Sequence, residues 1–308
     1  MKDAEYDVVI AGGGIAGLTA GLTSARAGRK TRVLTGASLG GHLVSIERID
    51  GYPGFPDGIP GYDLCPIIQE QGVGAGAEFA ASEATALHAD GGRWRVTTGQ
   101  GDIWARALVI ATGTTLKTLG VPGEEQLRGK GVSHCASCDA PLLRGRIVGV
   151  VGGGDSALQE ALTLAQHAAR VIIVHRGTAF SAQSAYVQQV QQNPKIEVRF
   201  RTIVEEAIGN GGLKSVRTRT IGDGKTGDLE VSGLFVYVGL APATPWLGEL
   251  LTLDSSGRIP VDGALRTNLP GLFAAGTVRS GSAGRAASAA GDGAAAALSV
   301  DRYLTDGT

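Results

Sequence analysis

The 308-residue chain has no surplus of charge, few cysteines and no long apolar run. Its formal net charge of −1 gives no electrostatic case for a nucleic-acid partner or an anionic membrane, both of which draw on a basic surface. Three cysteines do not make the disulfide framework of a secreted protein. The most apolar stretch, residues 8–22, is broken by five glycines and reads as strand, turn and helix, so no segment has the continuity of a membrane span. The start carries Asp3, Glu5 and Asp7 and does not read as a signal peptide, so a cytoplasmic protein is expected. What the chain has in excess is glycine, 49 residues, about twice the average share. These glycines follow no three-residue period, which excludes a collagen-like chain. The length suffices for two domains, each with its own core.

The glycines mark an internal repeat. Val8-Val9-Ile10-Ala11 has the length of a buried strand, Gly12-Gly13-Gly14 follows, residues 15–27 read as a helix ending at Gly28, and Arg32-Val33-Leu34 is the next strand. The same order returns at residues 148–151, Gly152-Gly153-Gly154, a helix over about 155–168 and a strand over 170–174. Each copy is a βαβ start, and its crossover helix implies parallel strands. In the first copy Gly12, Gly14 and Gly17 fit G-x-G-x-x-G: a tight turn, a close backbone approach to a pyrophosphate, and close helix–strand packing. The phosphates would sit on the helix N-terminus, at Ile15 and Ala16, where free N–H groups point outward. In the second copy Gly152, Gly154 and Ala157 fill the same places, with Asp155 and Ser156 opening the helix.

Ala111-Thr112-Gly113, after an apolar strand, and Gly271-Leu272-Phe273-Ala274-Ala275-Gly276, before a helix over about 286–304, suggest two returns of the chain to the first domain. The expected organisation is an α/β fold of two Rossmann-like three-layer domains, the second inserted into the first. Residues 1–116 and 247–308 form one domain and 117–246 the other. Trp94 and Trp104 lie in alternating stretches that read as a small antiparallel hairpin, both rings packed on the first domain's core.

Cys135-Ala136-Ser137-Cys138 runs directly into Asp139 just ahead of the second glycine loop. Two cysteines three apart share one face of a helical turn, and their Cα atoms can meet the short separation a disulfide needs. In such pairs one thiol often has a lowered pKa. Half a zinc site is the bland alternative, but His134 apart, Cys65 and His42, His88, His167 and His175 supply no second ligand cluster, and no metal is expected. Cys65 reads as a small apolar filler. Two dinucleotide sites and one dithiol suggest electrons passed from one cofactor to another and then to sulfur.

Together with Gly40-Gly41-His42-Leu43 and Tyr52-Pro53-Gly54-Phe55-Pro56, these motifs resemble the bacterial-type, low-molecular-weight thioredoxin reductases over essentially the whole chain. The cysteine pair just ahead of the second glycine loop is the most specific item. The resemblance implies a homodimer that binds FAD in the discontinuous domain and a pyridine nucleotide in the inserted one, which rotates about hinges near residues 115–120 and 239–244. It carries FAD onto the first glycine loop, Gly40, Gly41, His42, Leu43, Ala111, Thr112, Gly113, Gly276, Thr277, Arg285, Ala286 and Ala287. It carries the nucleotide onto the second loop, His175 and Arg176. It makes Cys138 the sulfur facing the flavin, Cys135 the one that attacks a partner disulfide, and Asp139 the acid–base.

Departures cluster at the cofactor positions. The family's H-R-R-x-x-x-R reads His175-Arg176-Gly177-Thr178-Ala179-Phe180-Ser181, so two arginines that hold the 2′-phosphate of NADPH are missing. No acidic residue takes their place to favour NADH. The family's G-D-V is Gly276-Thr277-Val278, its Arg-Gln pair is Arg285-Ala286, and His42 replaces a glutamine. FAD is expected, with NADPH or NADH as donor, and a thioredoxin-like protein or a small disulfide or dithiol as partner. Two alternatives stay open: a flavin-dependent dithiol oxidase, and a reductase fed by ferredoxin. A nucleotide-binding module without turnover is argued against by the intact Cys-x-x-Cys-Asp.

Overall fold

The structure, a computed structural model, describes residues 6–307, so Asp3 and Glu5 lie outside the described residues. In chain order the first elements are β1 (Tyr6–Ala11), α1 (Ile15–Arg26), β2 (Thr31–Leu34), α2 (Gly61–Gly74), β3 (Glu78–Ala80), β4 (Ala84–Asp90), β5 (Arg93–Thr98), β6 (Gly101–Ile110) and β7 (Thr114–Leu116). Next come β8 (Val132–Ser133), α3 (Ala136–Asp139), β9 (Ile147–Gly152), α4 (Asp155–His167), β10 (Arg170–Val174), α5 (Ser184–Gln192) and β11 (Ile196–Arg199). The strands β12 (Thr202–Gly209), β13 (Leu213–Thr220), β14 (Thr226–Glu230), β15 (Gly233–Tyr237) and β16 (Leu240–Pro242) follow, then β17 (Leu272–Ala274) and α6 (Ala286–Asp306). The chain divides into two compact units, Met1–Thr115 with Ala241–Thr308, and Leu116–Leu240. It re-enters the first unit at Ala241, six residues ahead of the boundary read from the sequence, because β16 pairs with β7. Among the described residues no helix is long and apolar enough to cross a membrane.

The first unit is built on a seven-stranded sheet in the order β3-β2-β1-β6-β5-β4, with β17 also against β6. β1 is flanked in parallel by β2 and β6, so its C-terminal end is a topological switch point, the place where open α/β sheets bind ligands. One face of the sheet, through Val8, Ile10, Val33, Val109 and Phe273, is covered by α1, α2 and α6. The other, through Val9, Leu108 and Leu272, is covered by Trp94, Val96, Leu247 and Ile259. Sequence patterning separates residues 102–105 from 107–110, but the structure runs them as one ten-residue strand. β6 is long enough to pair antiparallel with β5 at its start and parallel with β17 at its end. The two tryptophans also part company: Trp94 is buried, whereas Trp104 is half-exposed and its ring N–H donates to Asp90 Oδ2 at 3.1 Å.

The second unit has a five-stranded parallel sheet in the order β11-β10-β9-β15-β8. Its strands are apolar on both faces, as a parallel sheet covered on both sides requires. Val148, Val150, Val171, Ile173 and Phe235 meet α3, α4 and α5. Val151, Ile172, Val174, Leu234 and Val236 meet the antiparallel meander β12-β13-β14 through Val204, Ala207, Val216 and Leu229. The third layer is therefore β rather than helix.

Candidate active site and cofactor-binding loops

The first glycine loop leaves β1 at the switch point, and each glycine has a separate steric cause. Gly12 has φ +124°, and a Cβ there would come within 2.2 Å of the Ala111 carbonyl oxygen. At Gly17 a Cβ would lie 1.8 Å from the Gly12 oxygen, so this glycine is what lets α1 close on the loop. Nothing lies within 4 Å of a Cβ built on Gly14, which leaves open space at the start of α1, where Ile15 and Ala16 carry the helix's first N–H groups. The Gly40–Gly41 turn comes down beside that space: Gly40 N–H donates to Gly13 O at 2.8 Å, and a Cβ on Gly41 would touch Gly14 Cα at 3.4 Å. A tight turn, an open helix start and close helix packing are the three requirements of a pyrophosphate cradle, and the residues present fit the diphosphate of FAD.

The other flavin-loop residues converge on the same edge of the sheet. Ala111 N–H donates to Ala11 O at 2.7 Å, and Ala275 N–H to Ile110 O at 2.9 Å, so both later loops leave the sheet beside the glycine loop. Thr277 Oγ1 lies 3.5 Å from the Cβ position of Gly113 and is the polar atom offered where the family has a carboxylate. Thr112 Oγ1 donates to Ala243 O at 2.9 Å, and His42 Nε2 meets Thr114 O at 2.5 Å; both side chains are engaged by the protein's own backbone. Leu43 is half-buried, packed on the α-helical core of this unit. Arg285 caps the first turn of α6, which Ala286 and Ala287 open, and Ser288 Oγ accepts from the Arg285 N–H at 3.4 Å.

Sequence reasoning missed two features here. Asp292, buried in the Ala/Gly-rich α6, accepts the Gly276 N–H at 3.0 Å and both arms of Arg279 at 2.7 Å each, so one carboxylate anchors the Gly276–Thr277 loop. A lone acid in Gly291-Asp292-Gly293 was the available signal. The second feature is a cavity of about 380 Å³ at the end of β2, lined by Thr35, Gly36, Leu39, Gln69, Phe79 and Ala80. Cys65 is fully buried under the Gly40 turn, with its sulfur 4.0 Å from Gly40 O. Burial pushes its thiol up to about 11.

In the second unit Gly152 has φ +150°, and a Cβ there would meet Tyr237 O at 2.5 Å and the Ala157 methyl at 2.8 Å. Ala157, buried, takes the place of the third glycine, and Ser156 is exposed. The only atom within 4 Å of a Cβ on Gly154 is Ser181 Oγ, at 3.8 Å. Residues 175–183 fold back onto the loop. Ser181 donates from its N–H and its hydroxyl to Gly153 O at 2.9 and 3.3 Å. Asp155 accepts from Gln183 N and Nε2 at 2.7 and 2.9 Å. The His175 ring lies over Gly153, where a Cβ would meet it at 2.3 Å, and its Nε2 is 3.0 Å from Ala179 O. It also meets Phe180 and Phe200 at centroid distances of 5.8 and 6.2 Å. His175 thus braces the loop, and Arg176 is the exposed cation left beside it. The loop fits a dinucleotide's diphosphate, while one arginine stands where three hold a 2′-phosphate.

Cys135 and Cys138 form a disulfide with a Cα separation of 5.4 Å. Cys135 is the N-cap of α3, a helix of four residues, and its sulfur accepts the Cys138 N–H at 3.3 Å. Cys138 is exposed and Cys135 half-buried. The Cys135 N–H donates to Ser133 Oγ at 3.1 Å, and Asp139, half-buried, closes the helix with its N–H on Cys135 O. His134 turns its ring away, toward Glu124 and Arg128; burial holds it below the usual imidazole range, and its Nε2 is buried without a partner.

A disulfide beside one of two dinucleotide loops defines a class, and comparison with known proteins bears this out. The description "Pyridine nucleotide-disulphide oxidoreductase" matches residues 6–293, and the chain belongs to that family of FAD-dependent disulfide oxidoreductases. A thioredoxin reductase of Listeria innocua is 39% identical over 98% of this chain and 94% of its own, and one of Treponema pallidum is 35% identical over 98% of each. The crystal structure of Lactococcus lactis thioredoxin reductase matches at TM-score 0.96 and 34% identity, covering 98% of this chain and all of that one. Within the family the chain stands with the low-molecular-weight thioredoxin reductases, as a divergent member.

Proposed function

We propose that the Cys135–Cys138 pair receives two electrons through FAD and spends them on an external disulfide, carried by a thioredoxin-like protein or a small molecule. The observation that carries this reading is the disulfide itself, closed between an exposed and a half-buried cysteine and followed at once by Asp139. FAD, held by the first glycine loop and the Gly40, Ala111 and Gly276 segments of the discontinuous unit, supplies two-electron redox chemistry when bound. In the reduced pair the Cys135 thiolate attacks the external disulfide, forming a mixed disulfide and releasing one thiolate. Cys138 then attacks the Cys135 sulfur, which restores the internal bond and releases the second thiolate. Asp139 gives a proton to a departing thiolate and takes one from the attacking thiol in the next cycle. The Cys138 N–H, already directed at the Cys135 sulfur, stabilises negative charge there.

The electron donor is NADPH or NADH at the second glycine loop, bound without strong discrimination, because Arg176 alone faces a 2′-phosphate. Gly177 and Ser181 also favour a second reading, in which the flavin exchanges electrons with ferredoxin or, as a dithiol oxidase, with oxygen. The family resemblance supports a cytoplasmic homodimer. Anaerobic mixing with NADPH or NADH while flavin absorbance is followed tests the donor. Rapid bleaching supports the nicotinamide route; bleaching by a dithiol alone overturns it in favour of the second reading.

A further inference from the structure

Among the described residues five buried side-chain polar atoms lack a hydrogen-bond partner, and one of them is the Tyr237 hydroxyl, next to the redox turn. Such an orphan is costly and calls for an explanation. Tyr237 ends β15 opposite Gly152 of β9 in the parallel register, so its side chain rises at the edge where the nucleotide loop begins. Its ring packs on a cluster that contains Ala136 and Ala140 from the redox turn and Ala157 and Ala161 from α4. These small residues bracket two acids, Asp139 in the first pair and Glu160 in the second. The groups that act on the hydroxyl are the Ala136 peptide from α3, Glu160 from α4 and Asp139. Burial first, and then the two carboxylates, push its ionisation far above the usual phenol range, so the group keeps its proton and serves as a hydrogen-bond donor only.

We infer that Tyr237 is a positioning residue for the dithiol: its O–H donates to the carboxylate that Asp139 becomes when it protonates a departing cysteine. The inference rests on the reading of Asp139 as the proton donor. In reduction by dithiothreitol, a reagent thiolate attacks Cys135 Sγ, the Cys135–Cys138 bond breaks and a mixed disulfide forms. Cys138 leaves as a thiolate and takes the Asp139 proton. The second reagent thiol then closes the reagent's ring disulfide and releases Cys135. The hydroxyl without a partner in the oxidised state acquires one as Asp139 ionises.

The test uses the full-length protein, reduced with dithiothreitol, and follows alkylation of the pair by iodoacetamide across the acid and neutral range, so no nucleotide or turnover is involved. Tyr237→Phe removes one oxygen from an apolar contact and is checked for unchanged thermal unfolding. It should move the acid limb of the profile up by about one unit, a tenfold loss of rate at fixed pH on that limb. Glu160→Gln, which removes a neighbouring anion, should move the limb down. Asp139→Asn should abolish the limb, and Tyr237→Phe should add nothing in that background. An unmoved limb in Tyr237→Phe, or a shift that survives in the Asp139→Asn background, overturns the inference while the Asp139 reading stands. A limb that persists in Asp139→Asn overturns both.

Discussion

Three cysteines occupy three different chemical situations, and the surroundings of each decide its behaviour. Cys65 is buried under the Gly40 turn with its thiol raised to about 11. Its folded pKa lies above the unfolded value near 9, so the neutral thiol contributes stability that is whole below that value and is lost as pH rises through about 11. Disulfide-exchange reagents at neutral to mildly alkaline pH should therefore find no fast thiol in the oxidised native protein, two after mild reduction, and Cys65 only on unfolding; a fast-reacting thiol in the oxidised form would contradict the burial. Asp292 carries a second residue-scale prediction. Removing its carboxylate leaves Arg279 buried without its anion, at a cost of about 3–5 kcal/mol. Asp292→Ala should lower the thermal midpoint and loosen flavin retention together, as calorimetry and flavin release on gel filtration would report. The glycines and the cysteine pair were legible in the sequence because steric close approach and sulfur chemistry admit few residue types. Asp292 and Tyr237 were not, because an isolated acid in a small-residue helix, or a tyrosine at a strand end, acquires meaning only from what the fold brings beside it.

Elements were legible where one periodicity ran unbroken. Both strand–glycine–helix starts stand as read, since a buried parallel strand and a loop demanding glycine leave little room for alternatives. β6 was divided in reading because Arg106 interrupts its apolar run, and the meander β12-β13-β14 was passed over because half-buried strands alternate polar and apolar residues over short spans. The tightest element contact is α1 on its loop. Gly17→Ala would drive a methyl into the Gly12 carbonyl and should cost at least about 1–3 kcal/mol, with loss of bound flavin, measured by thermal unfolding and absorbance. In the second unit Gly177→Arg with Ser181→Arg should rebuild phosphate contacts. Each charge-assisted bond is worth about 1.5–3 kcal/mol, so the variant should bind NADPH tenfold or more tightly while NADH binding stays nearly constant. A titration showing equal gains for both nucleotides would refute this assignment of the β10 loop.

For the molecule as a whole, the interrupted domain was readable from the two returns at residues 111–113 and 271–276, because each follows a strand that lies against the first sheet. The point of re-entry was misplaced, since β16 is only three residues long and pairs with the strand that leaves the unit. What unites the two units chemically is the claim that flavin and disulfide form one electron store. Anaerobic dithionite titration of the flavin-loaded protein measures that store. The account predicts about four electrons per flavin in the wild-type protein, with two new thiols at the end point, and about two in Cys135→Ser/Cys138→Ser. Uptake of about two electrons in both proteins, with the Cys135–Cys138 bond intact, would contradict it.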